Sequence, residues 1–247
     1  MRIAVIGDIH ANLPALRAVL DDATSIGAEA VYCVGDVVGR GPHPNEVVDE
    51  LRRREITTIQ GNWDEAVGMD REQTGAAWPS PDAEAAGEAS MRWTARILTE
   101  ENRSWLRQLP VALRVTVAGR SLSLFHGAPF KQNEYLWADR PSRVFARIVS
   151  DEADDIFCFG HTHQAFHRRV GPAHFVACGS VGCGTGGDAR ARYAVIFIGD
   201  PDISVGFRSV DYDRAAVVDD MAAIGQPLDL LRVPPAPYPA VPLEATA

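Results

Sequence analysis

The chain has 247 residues, of which 46% are hydrophobic and 23% are charged, as is usual for a globular protein. This composition excludes a chain that is disordered throughout, a collagen-like chain and a disulfide scaffold. The net charge of −9, from 24 basic and 33 acidic side chains, disfavours binding to duplex nucleic acid, which usually requires a basic surface.

No apolar run reaches the roughly 18 residues that a membrane-spanning helix needs, so no membrane partner is expected. The N-terminal segment MRIAVIGDIH is too short in apolar residues for a signal peptide and predicts a first strand instead. The four cysteines show no CxxC pairing, and Cys33 and Cys158 lie in apolar runs. Free core thiols are typical of cytoplasmic proteins, so a cytoplasmic location is expected and the thiols are assigned no chemical role.

One pattern recurs along the chain: a short apolar run ends and a glycine or histidine follows at once. The predicted strands are Arg2–Ile6, Ala30–Val34, Ile56–Gln60, Ser121–Phe125 and Asp155–Phe159. Helical spacing follows the first two strands, with Asn12 and Asn45 as predicted N-caps. The alternation of strand and helix predicts a sheet that begins with parallel strands.

The middle of the chain has a different pattern. Helices are predicted over Ala83–Leu98 and, after a Thr99 cap, over Glu100–Leu109. Apolar runs on both sides of Ala118-Gly119 predict a hairpin and hence a second sheet. Closing strands are predicted at Tyr193–Ile198 and Ile203–Tyr212, and a last helix at Asp213–Ala223. We expect a single domain over residues 1–232 and a proline-rich tail over 233–247.

Metal-ligating side chains stand at the ends of five predicted strands. They are Asp8, His10, Asp36, Asn62, His126, His161 and His163. Ligands of open α/β sheets bind at the carboxyl ends of strands, so these side chains are expected to converge. Carboxylate, imidazole and amide donors suit Mn²⁺, Fe²⁺, Zn²⁺ or Ni²⁺. Seven donors exceed one tetrahedral site and suit two divalent ions that share a bridging carboxylate.

Taken singly, each motif has an ordinary alternative. Asp8 could be a turn aspartate with an incidental histidine nearby, and Asn62 could be a left-handed turn residue. His161 and His163 alternate in an extended segment and so point the same way. The combination of these motifs, always at strand ends, is what predicts a metal site.

These motifs, in this order, resemble those of the calcineurin-like metallophosphoesterase superfamily, in particular its small bacterial phosphodiesterase-like members. The matching segments are Asp8-Ile9-His10, Gly35–Gly41, Gly61–Asp64, His126-Gly127 and Gly160–His163. The resemblance implies an α/β fold, a four-layer α/β/β/α sandwich of two mixed sheets flanked by helices. It also implies that one ion is held by Asp8, His10, Asp36 and His163. The other would be held by Asp36, Asn62, His126 and His161, with Asp36 as the bridge.

Four further residues are candidates for substrate or proton handling. Arg40 is either a solvated loop arginine or a phosphate-binding residue, as its counterpart is in related protein phosphatases. Trp63 stands where many relatives carry the histidine that protonates the leaving group, so it is either a packing residue or an aromatic platform for the substrate. No general acid is identified; His43 and His167 are the remaining candidates.

The expected activity is hydrolysis of phosphodiester or nucleotide phosphoanhydride bonds in a small phosphorylated substrate by a metal-bound hydroxide. The missing histidine at position 63 favours substrates with good leaving groups. The alternatives are a serine/threonine-type protein phosphatase and a non-catalytic scaffold that keeps the fold. The sequence carries no signal for the oligomeric state.

Overall fold

The computed structural model describes residues 1–233. The strands are β1 (Arg2–Ile6), β2 (Ala30–Cys33), β3 (Thr57–Thr58), β4 (Ala112–Val117), β5 (Arg120–Phe125), β6 (Ile156–Phe159), β7 (Ala165–Val170), β8 (Ala173–Cys178), β9 (Gly184–Thr185), β10 (Ala191–Ile198), β11 (Ile203–Val210) and β12 (Arg232–Val233). The helices are α1 (Leu13–Ser25), α2 (Pro44–Arg53), α3 (Asn62–Gly68), α4 (Pro81–Ile97), α5 (Glu100–Gln108), α6 (Ser142–Glu152) and α7 (Arg214–Ala223), with a 3₁₀ turn at Leu228–Leu231.

Ten of the strands in residues 1–233 form two five-stranded mixed sheets, and β9 and β12 pair as a separate two-stranded sheet. The first has the order β11-β10-β1-β2-β3, and its strands β1, β2 and β3 are parallel to one another. Strand β10 is antiparallel to both of its neighbours, β1 and β11. The second has the order β4-β5-β6-β8-β7, with β5, β6 and β8 parallel and an antiparallel strand at each edge. The predicted parallel start, the hairpin and the second sheet are therefore confirmed.

Alternating side chains divide the apolar core into layers. Ile3 and Val5 of β1 lie between the two sheets, whereas Ala4 and Ile6 face the helices of the first sheet. This is the two-residue period of a strand that is buried on both faces. The helical layer over the first sheet is built largely from α1, α2 and α3.

The second sheet repeats this arrangement. Ile156 and Cys158 of β6 face the first sheet, and Phe157 and Phe159 point to the other side. There they join an aromatic cluster with Phe145 of α6. The molecule is thus the predicted four-layer α/β/β/α sandwich, in which the carboxyl ends of β1, β2, β5 and β6 carry the loops of interest.

The predicted caps have different outcomes. The caps at Asn12 and Thr99 are confirmed, since their side chains accept hydrogen bonds from the first turns of α1 and α5. The predicted Asn45 cap is wrong, because His43 is the N-cap and Asn45 lies inside α2. The helix begins at Pro44, whose fixed φ suits the first helical position. The Asn45 side chain instead accepts a hydrogen bond from the backbone N–H of Thr99, at 2.9 Å.

Several elements differ from the sequence expectation in extent. Strand β3 is only Thr57–Thr58, shorter than the predicted Ile56–Gln60. Helix α6 and strand β7 have no counterpart among the predicted elements. The predicted tail lies outside the described residues apart from Val233, which pairs with Thr185. Among the helices of residues 1–233, none combines the length and apolarity needed to cross a bilayer.

We expect Asn12→Ala to lower the free energy of unfolding by about 2–3 kcal/mol, because it removes a helix cap and buried hydrogen bonds. Asn12 Oδ1 accepts from Ala15 N at 3.2 Å, and Nδ2 donates to Gly182 O at 3.0 Å. Thr99→Ala is the matched control, since it removes only a cap and should cost about 1 kcal/mol. Urea titration of both variants measures the difference, and equal losses would mean that the Asn12–Gly182 bond contributes nothing.

Candidate metal centre

The predicted metal-ligating residues follow four strands and open one helix. Asp8 and His10 come after β1, Asp36 after β2, and Asn62 is the first residue of α3. His126 follows β5, and the pair His161 and His163 follows β6. All seven are at most 5% exposed. The structure therefore places seven buried donor side chains at the shared edge of the two sheets.

Backbone hydrogen bonds connect these loops. The N–H of Asp8 donates to Gly35 O and that of His10 to Asp36 O, both at 3.0 Å. His126 Nδ1 lies 2.7 Å from Val34 O, which ties the second sheet to the first. The loops after β1, β2 and β5 therefore hold one another in place without help from a ligand.

Five of the candidate ligands have a left-handed backbone. The φ angles of Asp8, His10, Asp36, His161 and His163 lie between 47° and 63°. Residues other than glycine adopt this region uncommonly, and such positions concentrate at functional sites where the surroundings enforce them. Here the hydrogen bonds between loops provide that enforcement.

The carboxylate of Asp36 lies at the middle of the site. Its Oδ2 is 3.3 Å from His126 Nε2 and 3.7 Å from His10 Nε2, and its Oδ1 accepts from Trp63 N at 2.9 Å. Donor atoms of Asp8, His10 and Asp36 lie within 4.8 Å of one another, and so do those of Asp36, His126 and His161. Asp36 is therefore common to two groups of donors.

The hydrogen-bond partners of two histidines favour one tautomer. His10 Nδ1 faces Val38 O at 3.4 Å and His126 Nδ1 faces Val34 O. A carbonyl oxygen only accepts, so in each neutral ring Nδ1 carries the hydrogen and Nε2 the lone pair. Backbone acceptors of this kind orient the histidine ligands of metal ions.

Other donor atoms of the site are buried and have no hydrogen-bond partner within the described part of the chain. They are Asp8 Oδ2, Asn62 Oδ1, His161 Nε2 and His163 Nδ1. The Asn62 amide is oriented by its Nδ2, which donates to Thr74 O at 2.9 Å. Buried polar atoms normally find partners, and these nitrogen and oxygen donors suit a divalent cation. The residues present therefore fit the metal ions expected from the sequence.

The charges of the site are mutually dependent. Burial lowers the pKa of His10 and of His161 to about 3, so both rings are neutral near pH 7. Burial also disfavours the charged form of His126, but the carboxylates of Asp36 and Asp8 raise its pKa to about 9. Burial raises the pKa of Asp8 to about 7 against the opposing effect of His126.

The Asp64 carboxylate binds backbone N–H groups on two segments of the site. Its Oδ1 accepts from the backbone N–H groups of Val37 and Val38, at 2.9 and 3.1 Å, and its Oδ2 accepts from Gly61 N at 2.9 Å. Burial and the nearby Asp36 raise the pKa of Asp64 to about 7. The carboxyl group thereby fixes the loop that follows Asp36 against the start of α3.

Arg40 and Trp63 are both buried beside the donors. The Arg40 guanidinium lies 5.4 Å from the ring centre of Trp63 and 5.0 Å from that of Trp78, and its Nη1 donates to Leu230 O at 3.1 Å. Arg40 is therefore not a solvated loop residue. Trp63 is 1% exposed, and its ring lies edge-on to that of His10 with 5.7 Å between the ring centres. A side chain at position 39 would overlap the Trp63 ring, so only glycine fits there. This burial favours the packing interpretation of Trp63.

The two candidate general acids have partners elsewhere. His43 Nε2 lies 2.9 Å from Asp220 Oδ2, and His167 Nε2 lies 3.0 Å from His174 Nδ1 on the second sheet. Within the described part of the chain, neither ring hydrogen-bonds to a candidate metal ligand. The structure thus does not bring His43 or His167 into the donor group.

Two residues that the sequence did not single out contact the site. The Tyr135 ring packs on His161 at 4.0 Å between centres, and Cys183 Sγ lies within 4.8 Å of donor atoms of His10 and His163. The sequence signal for Tyr135 is weak, since it lies in an irregular segment well after His126. Cys183 lies in a glycine-rich loop, Gly179–Gly187, where no spacing pattern indicates a ligand.

We expect binding of Zn²⁺ to the metal-free protein to release protons near pH 7. His126, with a pKa of about 9, and Asp8, with a pKa of about 7, are wholly or partly protonated there and must lose those protons to coordinate an ion. Apparent affinity should therefore rise with pH until both groups are deprotonated. Calorimetry in buffers of different ionisation enthalpy counts the protons, and pH-independent binding without release would contradict this charge assignment.

Known proteins resemble this chain over most of its length. The uncharacterized protein MJ0912 of Methanocaldococcus jannaschii is 28% identical over 228 residues, which are 85% of this chain and 88% of that protein. The crystal structure of a metallophosphoesterase from Sphaerobacter thermophilus shares 28% identity with a TM-score of 0.73 and covers 94% of this chain and 96% of its own. The hypothetical protein PH1004 from Pyrococcus horikoshii OT3 has the same fold, with a TM-score of 0.80, 22% identity and coverage of 93% and 96%.

The sequence profile of a family matches residues 1–200, and that family is described as the calcineurin-like phosphoesterase superfamily domain. The matched range contains every predicted metal-ligating residue and all of the second sheet. The chain therefore belongs to the calcineurin-like phosphoesterase superfamily.

Proposed function

We propose that this protein is a two-metal phosphoesterase that hydrolyses phosphodiester or nucleotide phosphoanhydride bonds. Membership of the family supports phosphoester hydrolysis in general. The observation that carries the two-metal proposal is the position of Asp36, whose carboxylate belongs to both groups of buried donors. A carboxylate shared in this way offsets the repulsion between two dications.

The donors divide into two sets around Asp36. The first set is Asp8, His10, Asp36 and His163, and the second is Asp36, Asn62, His126 and His161. Two divalent ions held there would activate a water molecule and neutralise the charge that develops on the phosphoryl group. The nitrogen and oxygen donors are compatible with Mn²⁺, Fe²⁺, Zn²⁺ or Ni²⁺.

Arg40 is suited to orient a phosphoryl oxygen. A guanidinium has five N–H donors, and the Leu230 carbonyl accepts from Nη1. The remaining donors include Nε, which is buried and has no partner in residues 1–233. Because two tryptophan rings flank the guanidinium, it is held in place before substrate binds, which reduces the cost of positioning.

The chemistry of the leaving group follows from position 63. An indole N–H is not a proton source near neutral pH, and His43 and His167 have partners away from the donors. Hydrolysis therefore favours leaving groups that depart as anions without protonation, such as phenolates and phosphates. Alkyl phosphomonoesters are the poorest expected substrates.

The proposed substrate is a small phosphorylated molecule of nucleotide type. The rings of Tyr135 and Trp137 are stacked 5.1 Å apart, and Tyr135 also packs on His161. Aromatic rings next to the donors support binding of a base or aryl group. The four free, buried cysteines support the proposed cytoplasmic location.

We expect Asp36→Asn to bind fewer metal ions and to lose nearly all metal-dependent turnover of bis(p-nitrophenyl) phosphate. The neutral amide cannot offset repulsion between two ions, and Oδ2 of Asp36 lies 3.3 Å from His126 Nε2. Asp22→Asn is the control, because it changes an aspartate that pairs with Arg208 on the outside of the first sheet. Metal content is measured by mass spectrometry on the same samples as turnover.

The alternatives give distinct results in this assay. A non-catalytic scaffold shows no metal-dependent turnover in the wild type. A protein phosphatase hydrolyses phosphopeptides faster than the diester or nucleotides. Full activity of Asp36→Asn with two ions retained would refute the bridging role.

We expect Arg40→Ala to lower kcat/KM by a factor that corresponds to a loss of about 1.5–3 kcal/mol in transition-state stabilisation, the usual contribution of a hydrogen bond to a charged group. The metal content should not change. Arg103→Ala is the matched control, because this partly buried arginine donates to Val67 O at 2.8 Å in a structural contact. Steady-state kinetics and urea titration are compared for both variants. Loss of stability in Arg40→Ala without loss of kcat/KM would show that Arg40 only holds the Leu230 segment.

A further inference from the structure

The glycine-rich loop after β8 is fixed against the first metal-ligating loop. Ser180 Oγ donates to Asp8 O at 2.9 Å, and the N–H of Gly182 donates to the same carbonyl at 2.9 Å. A side chain at position 182 would overlap the Ile9 carbonyl, so only glycine permits this approach. The loop is therefore packed directly against the backbone of the segment Asp8–His10.

Cys183 is the next residue of this loop, and its position is equally constrained. Its N–H donates to Ser180 Oγ at 2.9 Å, and its side chain is 2% exposed. Its Sγ lies within 4.8 Å of donor atoms of His10 and His163. Zinc has bonds of about 2.0–2.1 Å to nitrogen and about 2.3 Å to sulfur, so atoms that share one ion lie up to about 4.4 Å apart. The sulfur and the two imidazole nitrogens are therefore close enough for one ion to draw together.

The two histidines point to a ligand at this position independently of the cysteine. His10 Nε2 and His163 Nε2 lie 3.2 Å apart, and His163 Nε2 lies 3.6 Å from Asp8 Oδ1. His10 Nδ1 faces a carbonyl, so Nε2 is the lone-pair side of that ring. Asp8 Oδ2 is fully buried and has no hydrogen-bond partner among residues 1–233. Two imidazole nitrogens that converge beside such a carboxylate oxygen are the surroundings of a cation.

We infer that Cys183 supplies a thiolate ligand to the ion held by Asp8, His10, Asp36 and His163. This inference rests on the proposed metal centre and adds a soft donor to its otherwise nitrogen and oxygen set. On binding, the metal–sulfur bond replaces the S–H bond, and the proton leaves to solvent. In the metal-free protein the S–H faces the Leu230 carbonyl at 3.9 Å, and burial raises the pKa of the thiol. The nearby Arg40 guanidinium, which donates to the same carbonyl, opposes that effect, and the thiolate forms as the ion binds.

A thiolate ligand changes which metal this site prefers. Sulfur favours Zn²⁺ and Fe²⁺, whereas Mn²⁺ prefers oxygen donors. The site with Cys183 is therefore a zinc or iron site, and the second site, with Asn62, remains an all nitrogen and oxygen site that tolerates Mn²⁺. The two positions should fill with different ions when both metals are offered.

Cobalt substitution tests the sulfur ligand without recourse to activity. The metal-free, full-length protein is loaded with Co²⁺, and its near-ultraviolet absorption is recorded alongside the bound metal content. Wild type should show a sulfur-to-cobalt charge-transfer band. Cys183→Ser and Cys183→Ala should lose that band while they keep cobalt at the remaining ligands. Cys178→Ser is the matched control, because Cys178 is buried like Cys183 but lies beside Gly7 in the apolar core. This variant should retain the band.

The outcomes separate this inference from the proposed function. Wild-type protein that binds two cobalt ions without a charge-transfer band overturns the thiolate ligand and leaves the two-metal phosphoesterase intact. Protein that binds no cobalt overturns both. A band that persists in Cys183→Ser assigns the sulfur to another cysteine and contradicts the inference. Since the decisive band is measured on the unaltered chain, a variant that fails to fold does not obscure the result.

Discussion

Buried negative charge is the constraint on which the rest of the structure depends. Asp8, Asp36 and Asp64 are at most 1% exposed, and buried carboxylates are costly unless hydrogen bonds or cations compensate them. Asp64 is compensated by three backbone N–H groups. Asp36 has one backbone donor and the imidazole of His126. Among residues 1–233, Asp8 accepts a hydrogen bond only from His161 N and keeps an unpartnered oxygen, so these residues leave its compensation incomplete.

Backbone hydrogen bonds between the loops help to hold that charge in place. The loops after β1 and β2 exchange hydrogen bonds from residue to residue, and these bonds retain left-handed conformations at Asp8, His10 and Asp36. A short polar residue there can aim its donor back over the end of its own strand. The same geometry recurs at His161 and His163 on the second sheet. Both sheets thus use one local conformation to direct ligands toward their shared edge.

The strand-end motifs could be read from the sequence because the carboxyl ends of parallel strands converge regardless of the detailed packing. The Asn45 cap was wrong because a preceding proline started α2 earlier, a local effect that competes with the capping preference. The surroundings of Arg40 could not be predicted, since its partner Leu230 lies 190 positions away and approaches only through tertiary packing. The approach of Cys183 to His10 depends likewise on how closely Gly182 packs against Ile9, which the spacing of residues does not encode.

The contact between Arg40 and Leu230 shows which parts of the chain surround the candidate site. The family profile ends at residue 200, yet Leu230 and Asp220 both contact residues of the loop and helix that follow Asp36. The candidate metal ligands therefore come from the range that the family profile matches, and one wall around Arg40 comes from a segment beyond it. Changes in that segment can alter the access and shape of the proposed phosphate-binding side while the candidate ligands stay fixed.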